Sequence, residues 1–150
     1  MGNPWQQPGW GGDAGRMSVV RIVSFGFGHG APPAADLVAD LRAHFRDPWH
    51  AVALRALTGA DEPVQAAVLA TPGVAALVTT LAGAVVAMRT GPSAAAVTVA
   101  LGCGGGRHRA PVVADAIAAA LHQRGIETAV GHRDIRRPLL PPGSTRTLRG

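Results

Sequence analysis

The chain has no lysine and no tyrosine, one cysteine, and only three phenylalanines and three tryptophans among 150 residues. Without lysine no G-x-x-x-x-G-K-[ST] phosphate loop can form. All 14 basic side chains are arginines. A GC-rich genome accounts for that bias, but each arginine is also a planar fork suited to bidentate contact with phosphate or carboxylate. A single cysteine excludes an intramolecular disulfide and a cysteine-based zinc cluster, and it fits a reducing compartment. No H-E-x-x-H or comparable ligand pattern occurs, so no metal is expected, and nothing calls for a cofactor. The apolar stretch Ala82 to Met88 is far too short to span a bilayer. No basic cluster followed by an apolar run opens the chain, so no signal peptide and no membrane partner are expected, and the cytoplasm is the default location.

What is present is mostly small and aliphatic. Apolar residues make up 47%, dominated by Ala and Val, which suits Ala-rich helices packed closely on a Val-rich sheet. The length is that of one domain. Residues 1–15, rich in Gly, Pro, Gln and Trp, are read as a disordered leader in which Trp5 and Trp10 are either a docking element or plain tail. The folded part is placed at residues 16–137. Residues 138–150 are read as a disordered Pro/Arg tail, with Arg146 and Arg149 continuing the basic run of Arg136 and Arg137. The net charge of +5 favours anionic partners such as sugar phosphates, nucleotides or RNA without choosing among them.

The order of elements is strand, helix, loop, helices, strand, helix, strand. Val19 to Phe25 is a β-branched run that ends in the turn Gly26-Phe27-Gly28-His29-Gly30. Pro33 to His44 carries Leu37, Val38 and Leu41 at helical spacing and is predicted as a helix. Residues 45–60 are expected to be an irregular loop with one short helical turn. Asp61-Glu62-Pro63 marks a helix start, Thr71-Pro72-Gly73 its end, and a longer helix runs from Val74 to about Arg89. Ala95 to Leu101 is a buried strand, residues 110–123 an amphipathic helix closed by Gly125, and Ile126 to Val130 a third strand. Strands alternating with helices predict an α/β fold, a small, mostly parallel sheet flanked by helices.

The densest chemical signal lies between the middle strand and the helix after it: Cys103, Gly104, Gly105, Gly106, Arg107, His108 and Arg109. In open α/β sheets ligands bind beyond the carboxyl ends of the strands, where this loop falls. Glycines free the backbone to present successive N–H groups, and a helix N-terminus adds its dipole, so the loop is a candidate anion cradle. A tight glycine turn with solvated arginines is the plainer alternative. Cys103 to Arg109 also has the C-x5-R spacing of a phosphatase loop, which would make Cys103 a nucleophile and Arg109 its anion partner.

The strings SFGFGHGAPPAAD (24–36), DLR (40–42), ALTGADEPV (56–64), GCGGGRHR (102–109) and GHRD (131–134) resemble the C-terminal domain of the RapZ family of RNase adapter proteins. The resemblance covers about residues 19–137. It implies an α/β domain that senses glucosamine 6-phosphate and, in enterobacteria, binds small RNAs and presents them for RNase cleavage. By match to the family's motifs it assigns ligand contact to Cys103, Gly105, Gly106, His108 and Arg109, to Asp40, Arg42, Arg55, Thr58 and Gly59, and to His132 and Arg133. Gly28 and His29 depart from the family's residues after S-F-G-F, Gly104 replaces a threonine, and the family's Pro-His-Trp appears as Pro48-Trp49-His50. His50 is therefore the candidate by chemistry, and His29 is added for its place at the end of the first strand. No counterpart of the family's N-terminal P-loop NTPase domain is present in these residues, so its nucleotide hydrolysis is not expected here.

Three functions follow as expectations. The first is a non-enzymatic sensor of a phosphorylated metabolite, and the second, compatible with it, an RNA-binding adapter. The third is a cysteine-dependent phosphatase. The partners expected are a phosphorylated small molecule, RNA, a second copy of the chain, or a separate NTPase-domain protein. The scarcity of stacking aromatics weakens the RNA signal. His44 and His122 are read as surface residues, Trp49 as loop packing or a stacking platform, and His132-Arg133-Asp134 as either the pocket's closure or a strand-end ion pair.

Overall fold

Four short β-branched or alternating runs become strands because each buries at least one face against the same helical layer. The computed structural model describes residues 20–45, 47, 48, 51–92 and 96–140. In chain order it contains β1 (Val20–Gly26), β2 (Leu37–Asp40), α1 (Glu62–Leu69), α2 (Val74–Arg89), β3 (Val97–Cys103), α3 (Arg109–His122) and β4 (Thr128–His132). The strands form one sheet in the order β2-β3-β1-β4, and every neighbouring pair is parallel. The two central strands share the register Val20↔Val97 through Gly26↔Cys103, which brings their carboxyl ends level.

Alternation divides the sheet into two unequal faces. Val20 and Ile22 of β1 and Val97, Val99, Leu101 and Cys103 of β3 point into a core completed by Val64, Val68, Val74, Val85, Ile117 and Leu121 from the three helices. Fully buried aliphatic side chains of this kind contribute about 1.5–3 kcal/mol each. The opposite face carries Val23, Phe25 and Ala100, covered by Phe27 and Ala35 from the segment between β1 and β2. That segment returns the chain across β3 with no α-helix, so this second layer is thin.

The predicted helix from Pro33 to His44 does not form. Leu37, Ala39 and Leu41 share one face by alternation just as Leu37, Val38 and Leu41 do by helical spacing, and tertiary packing selects the former. β2 pairs with β3 from Leu37↔Val99 to Asp40↔Gly102, with Val38 half exposed on the thin face. Leu41, 1% exposed, joins the core. The sheet therefore has a fourth strand, at its edge. The strands also begin and end up to two residues later than expected, because Gly26, Gly102, Cys103 and His132 continue their ladders.

The helix boundaries follow their punctuation. Asp61 is the N-cap of α1 and Pro63 lies in its first turn. Gly73, at φ 92°, precedes α2, and Gly125, at φ 73°, closes the turn after α3. The short helical turn expected in residues 45–60 is the 3-10 turn Val52–Leu54. The leader at 1–15 and residues 141–150 of the tail lie outside the described residues. Among the described residues no single helix is long and apolar enough to cross a membrane.

The strand reading of 37–41 makes an expected outcome specific. Leu41→Ala should lower stability by about 2–5 kcal/mol, while Val38→Thr should stay within about 0.5 kcal/mol. Urea unfolding of both variants checks this, and equal losses would contradict the alternation.

Candidate functional site

The loop after β3 is shaped by backbone packed against backbone. Gly26, at the end of β1, lies so close to it that a Cβ there would sit 2.5 Å from the Gly105 carbonyl carbon and 2.8 Å from the Gly106 nitrogen. Gly106 is at φ 74°, and a Cβ on it would come within 2.7 Å of the Gly26 nitrogen. Gly28 N donates to Gly104 O at 3.0 Å, tying the turn after β1 to the same loop. Gly104 and Gly106 are buried and Gly105 is half-buried, with open space where its Cβ would stand.

A second motif closes on the loop from the helical side. Gly59 N donates to Arg107 O at 2.6 Å, and a Cβ on Gly59 would lie 2.8 Å from Pro111 Cβ. Thr58 holds its own turn: its amide donates to Asp61 Oδ2 at 2.8 Å and its hydroxyl accepts from Ala60 N at 3.2 Å. Arg55 follows the 3-10 turn, its amide donating to Val52 O. Gly59 thus acts on the loop through packing and a backbone hydrogen bond, and Thr58 shapes the turn that carries it.

Arg109 is buried and Arg107 half-buried, and both guanidinium groups are engaged by other parts of the chain. Arg109, 6% exposed, donates through Nη1 to Leu41 O, Arg42 O and Phe45 O at 3.0, 3.2 and 3.1 Å, and pairs through Nη2 with Asp47 Oδ2 at 3.2 Å. It is the tie between α3 and the segment after β2. Arg107 reaches out with Nη1 to Arg137 O at 2.7 Å and Nη2 to Ala56 O at 3.3 Å. Its partners are neutral carbonyls, which leave its charge uncompensated. His108 Nε2 lies 2.7 Å from Leu57 O, so the neutral ring is read as donating there, with Nδ1 3.9 Å from Asp47 Oδ1. Burial, first of several causes, pushes the His108 pKa below its ordinary value near 6.5.

Cys103 is 2% exposed and packs among core side chains. A thiol nucleophile needs access and stabilisation of its thiolate. This sulfur lacks the access, so the C-x5-R reading has no exposed nucleophile to work with.

Asp40 and Arg42 form a pair on the thin face of the sheet: Arg42 Nη2 donates to Asp40 Oδ2 at 2.7 Å, and the guanidinium lies 3.8 Å over the Phe27 ring. Hydrogen bonding to Asp40, ahead of the other causes, raises the Arg42 pKa. Phe27 in turn fills the space over Gly102, where a Cβ would collide with it. His29 sits in the 3-10 turn Phe27–His29 beyond β1.

At the far edge His132 turns away from the loop. Its Nδ1 is 2.7 Å from Ser24 Oγ and its Nε2 3.1 Å from Asp115 Oδ1, on the helical side. Arg133 belongs to the site edge, donating from Nη1 to Ala31 O at 2.6 Å and from Nε to Asp134 Oδ2 at 3.0 Å. His50 lies outside the described residues. The structure therefore gathers Gly104–Arg109, Gly59 and Arg133 at one carboxyl edge, with Asp40 and Arg42 on its flank, and leaves the His132 side chain elsewhere.

Two carboxylates organise this edge: Asp134, expected from the sequence as one half of a strand-end ion pair and found paired with Arg133, and Asp47, which the sequence did not single out. Asp134, fully buried, accepts from Gly26 N at 2.8 Å and lies 3.1 Å from Arg137 Nε. Asp47 pairs with Arg109. Asp134 stands inside the quoted GHRD string, directly after a strand-end arginine, which was the available signal. Among the described residues no three His, Cys, Asp or Glu side chains converge as a metal site. A cavity of about 480 Å³ lies beside the edge, lined by Asp47, Pro48, Leu54, Ala70 and their neighbours.

The remaining donors face the loop itself. Among the described residues the amides of Gly104 to Arg109 donate to no carbonyl or carboxylate. Arg107 Nε and Arg109 Nε are covered without a hydrogen-bond partner. His108 is the N-cap of α3, which has no side-chain cap hydrogen bond and no acidic residue in its first turn. Donors and dipole at this point are uncompensated, which favours negative charge.

Residues 18–136 match the model of the RapZ C-terminal domain. The chain belongs to that family. Similar proteins include a nucleotide-binding protein of Salinispora tropica, 38% identical over 131 residues (85% of this chain, 43% of the relative). One from Thermobifida fusca is 38% identical over 121 residues (79% and 41%), and one from Laribacter hongkongensis 40% over 128 residues (82% and 45%). The chain thus spans about two-fifths of the length of these relatives. In the structure the blocks carrying Gly26, Arg42, Gly59, Gly106 and Arg133 meet at one sheet edge.

Two outcomes follow from the buried groups. Asp134→Asn should cost roughly 3 kcal/mol, since it removes the charge that two arginines and a backbone amide share; chemical unfolding measures it. For His108, the unfolded ring takes up its proton first as the pH falls, because the folded pKa lies lower. Its contribution is fully present above pH ~7 and is lost as the pH drops through ~6.5 and below. His108→Gln should therefore flatten stability between pH 7 and 5 relative to the parent, read from urea midpoints across that range.

Proposed function

We propose that this RapZ C-terminal domain is a binding and sensing module for a phosphorylated small metabolite, an amino-sugar phosphate such as glucosamine 6-phosphate, with the phosphate on the loop Gly104–Arg109. One observation carries the reading: a run of backbone amides without internal acceptors opens into an uncapped helix N-terminus, beside an arginine whose described partners are neutral carbonyls. An anion there satisfies donors whose burial is otherwise costly, by about 1–3 kcal/mol per group. Arg109 fixes the loop from below, and its covered Nε is the part of its fork still without a partner. In this reading Asp40, on the flank and paired with Arg42, would accept from a sugar hydroxyl or ammonium group. The name nucleotide-binding carried by the relatives accords with a ligand that bears phosphate. A cytoplasmic location suits such a ligand and a single unpaired cysteine.

Gly105 supplies a clean test, because its Cβ would meet nothing within 4 Å and its φ is not positive. Gly105→Asp should fold as the parent does but place a carboxylate at the loop. At ligand 100-fold above Kd, glucosamine 6-phosphate should stabilise the parent by about 2.7 kcal/mol and Gly105→Asp scarcely at all, with glucosamine inert toward both. Thermal and urea unfolding read the difference. A parent that gains nothing, or a variant that gains as much, ends the proposal.

A further inference from the structure

Beyond β4 the chain turns back over the carboxyl edge of the sheet. Arg137 N donates to Asp134 O at 3.0 Å, anchoring the turn on the residue whose carboxylate also holds Gly26. Residues 136–139 are exposed, but Leu140 is half-buried. It lies directly on Gly28, where any Cβ would collide with its Cδ1. Gly28 donates to Gly104 O, and the Arg137 carbonyl accepts from Arg107 Nη1 at 2.7 Å. The segment 137–140 therefore touches the loop at both ends, at Gly104 through Gly28 and at Arg107 directly.

We propose that Arg137–Leu140 is a strap whose seating competes with the anion, a regulation that rests on the anion-binding reading above. Arg107 is the shared element. Its bond to the Arg137 carbonyl is charged on one side only, whereas a phosphate would offer charge on both and accept the planar fork bidentately. An anion on the loop draws Arg107 from the carbonyl and leaves Leu140 as the strap's remaining hold on the loop. Coupling of this kind is reciprocal, so loosening the strap raises anion affinity by the same factor.

The test titrates inorganic phosphate into the full chain, Leu140→Ser and Leu140→Met, with amide hydrogen exchange followed at Leu139 and Leu140. Leu140→Ser should bind phosphate roughly fivefold more tightly than the parent, within the usual range of site-to-site coupling. Leu140→Met should match the parent, and phosphate should speed exchange at the two leucine amides of the parent. Normal binding by the parent with equal or weaker binding by Leu140→Ser overturns the strap alone. Slower leucine exchange with phosphate also overturns it, because the segment would then close over the anion. Absence of saturable binding in every chain overturns the anion reading, and the competition with it.

Discussion

At the carboxyl edge the end of β1 and the loop after β3 meet backbone to backbone, with Gly26 against Gly105 and Gly106. Nothing larger than hydrogen fits on Gly26 or Gly106, since a Cβ on either would lie within 3 Å of main-chain atoms. Central parallel strands normally separate as they leave the ladder. Here the register Gly26↔Cys103 holds them together to the last residue, and the Asp134 carboxylate takes the Gly26 amide that the ladder leaves over. The loop is thereby bent into one shape before any ligand is considered. That pre-organisation is what a run of amides needs in order to bind an anion without first being ordered.

The same constraint explains the behaviour of the arginines. The segments packed around this loop bring their carbonyls within reach of its neighbours, and a guanidinium bridges several at once where an ammonium would meet them one at a time. Arg109 joins three carbonyls and a carboxylate, Arg133 three carbonyls and a carboxylate, and Arg107 two carbonyls. These contacts fix geometry but do not neutralise charge unless an acid is present. Arg109 has Asp47 and Arg133 has Asp134, whereas the two described acceptors of Arg107 are uncharged. Structural and electrostatic roles are thus divided among neighbouring residues of one type.

The sequence made some of this legible and hid the rest for identifiable reasons. Helix limits were readable because Asp61, Pro63, Gly73 and Gly125 punctuate the chain with side-chain chemistry that acts locally. β3 and the loop after it were readable as a buried apolar run followed by glycines. β2 was not, because five residues with apolar positions 37, 38, 39 and 41 satisfy both periods, and only pairing with β3 decides between them. Among candidate site residues, glycines and arginines of the loop were visible as a cluster in one stretch. Asp47 was not, and Asp134 was visible only as the partner of its neighbour Arg133, since their other contacts come from partners 62 and 108 residues away. His132 was misleading in the opposite sense: its backbone is at the edge, but the strand's alternation aims its ring at Ser24 and the helical layer.

The thin face of the sheet ties these features together. A helix between β1 and β2 would have covered that face more fully, yet it would also have carried the chain away from the carboxyl edge. The helix-free segment instead lays Phe27 over Gly102 and sets Gly28 beside Gly104. Gly102 must be bare for the ring to descend, and Gly28 must be bare for Leu140 to rest on it. Each glycine along this path admits a different neighbour, a ring, a backbone or a leucine. The motif glycines therefore record how closely these segments of chain approach one another, and the anion binding proposed for the loop would be a consequence of that closeness.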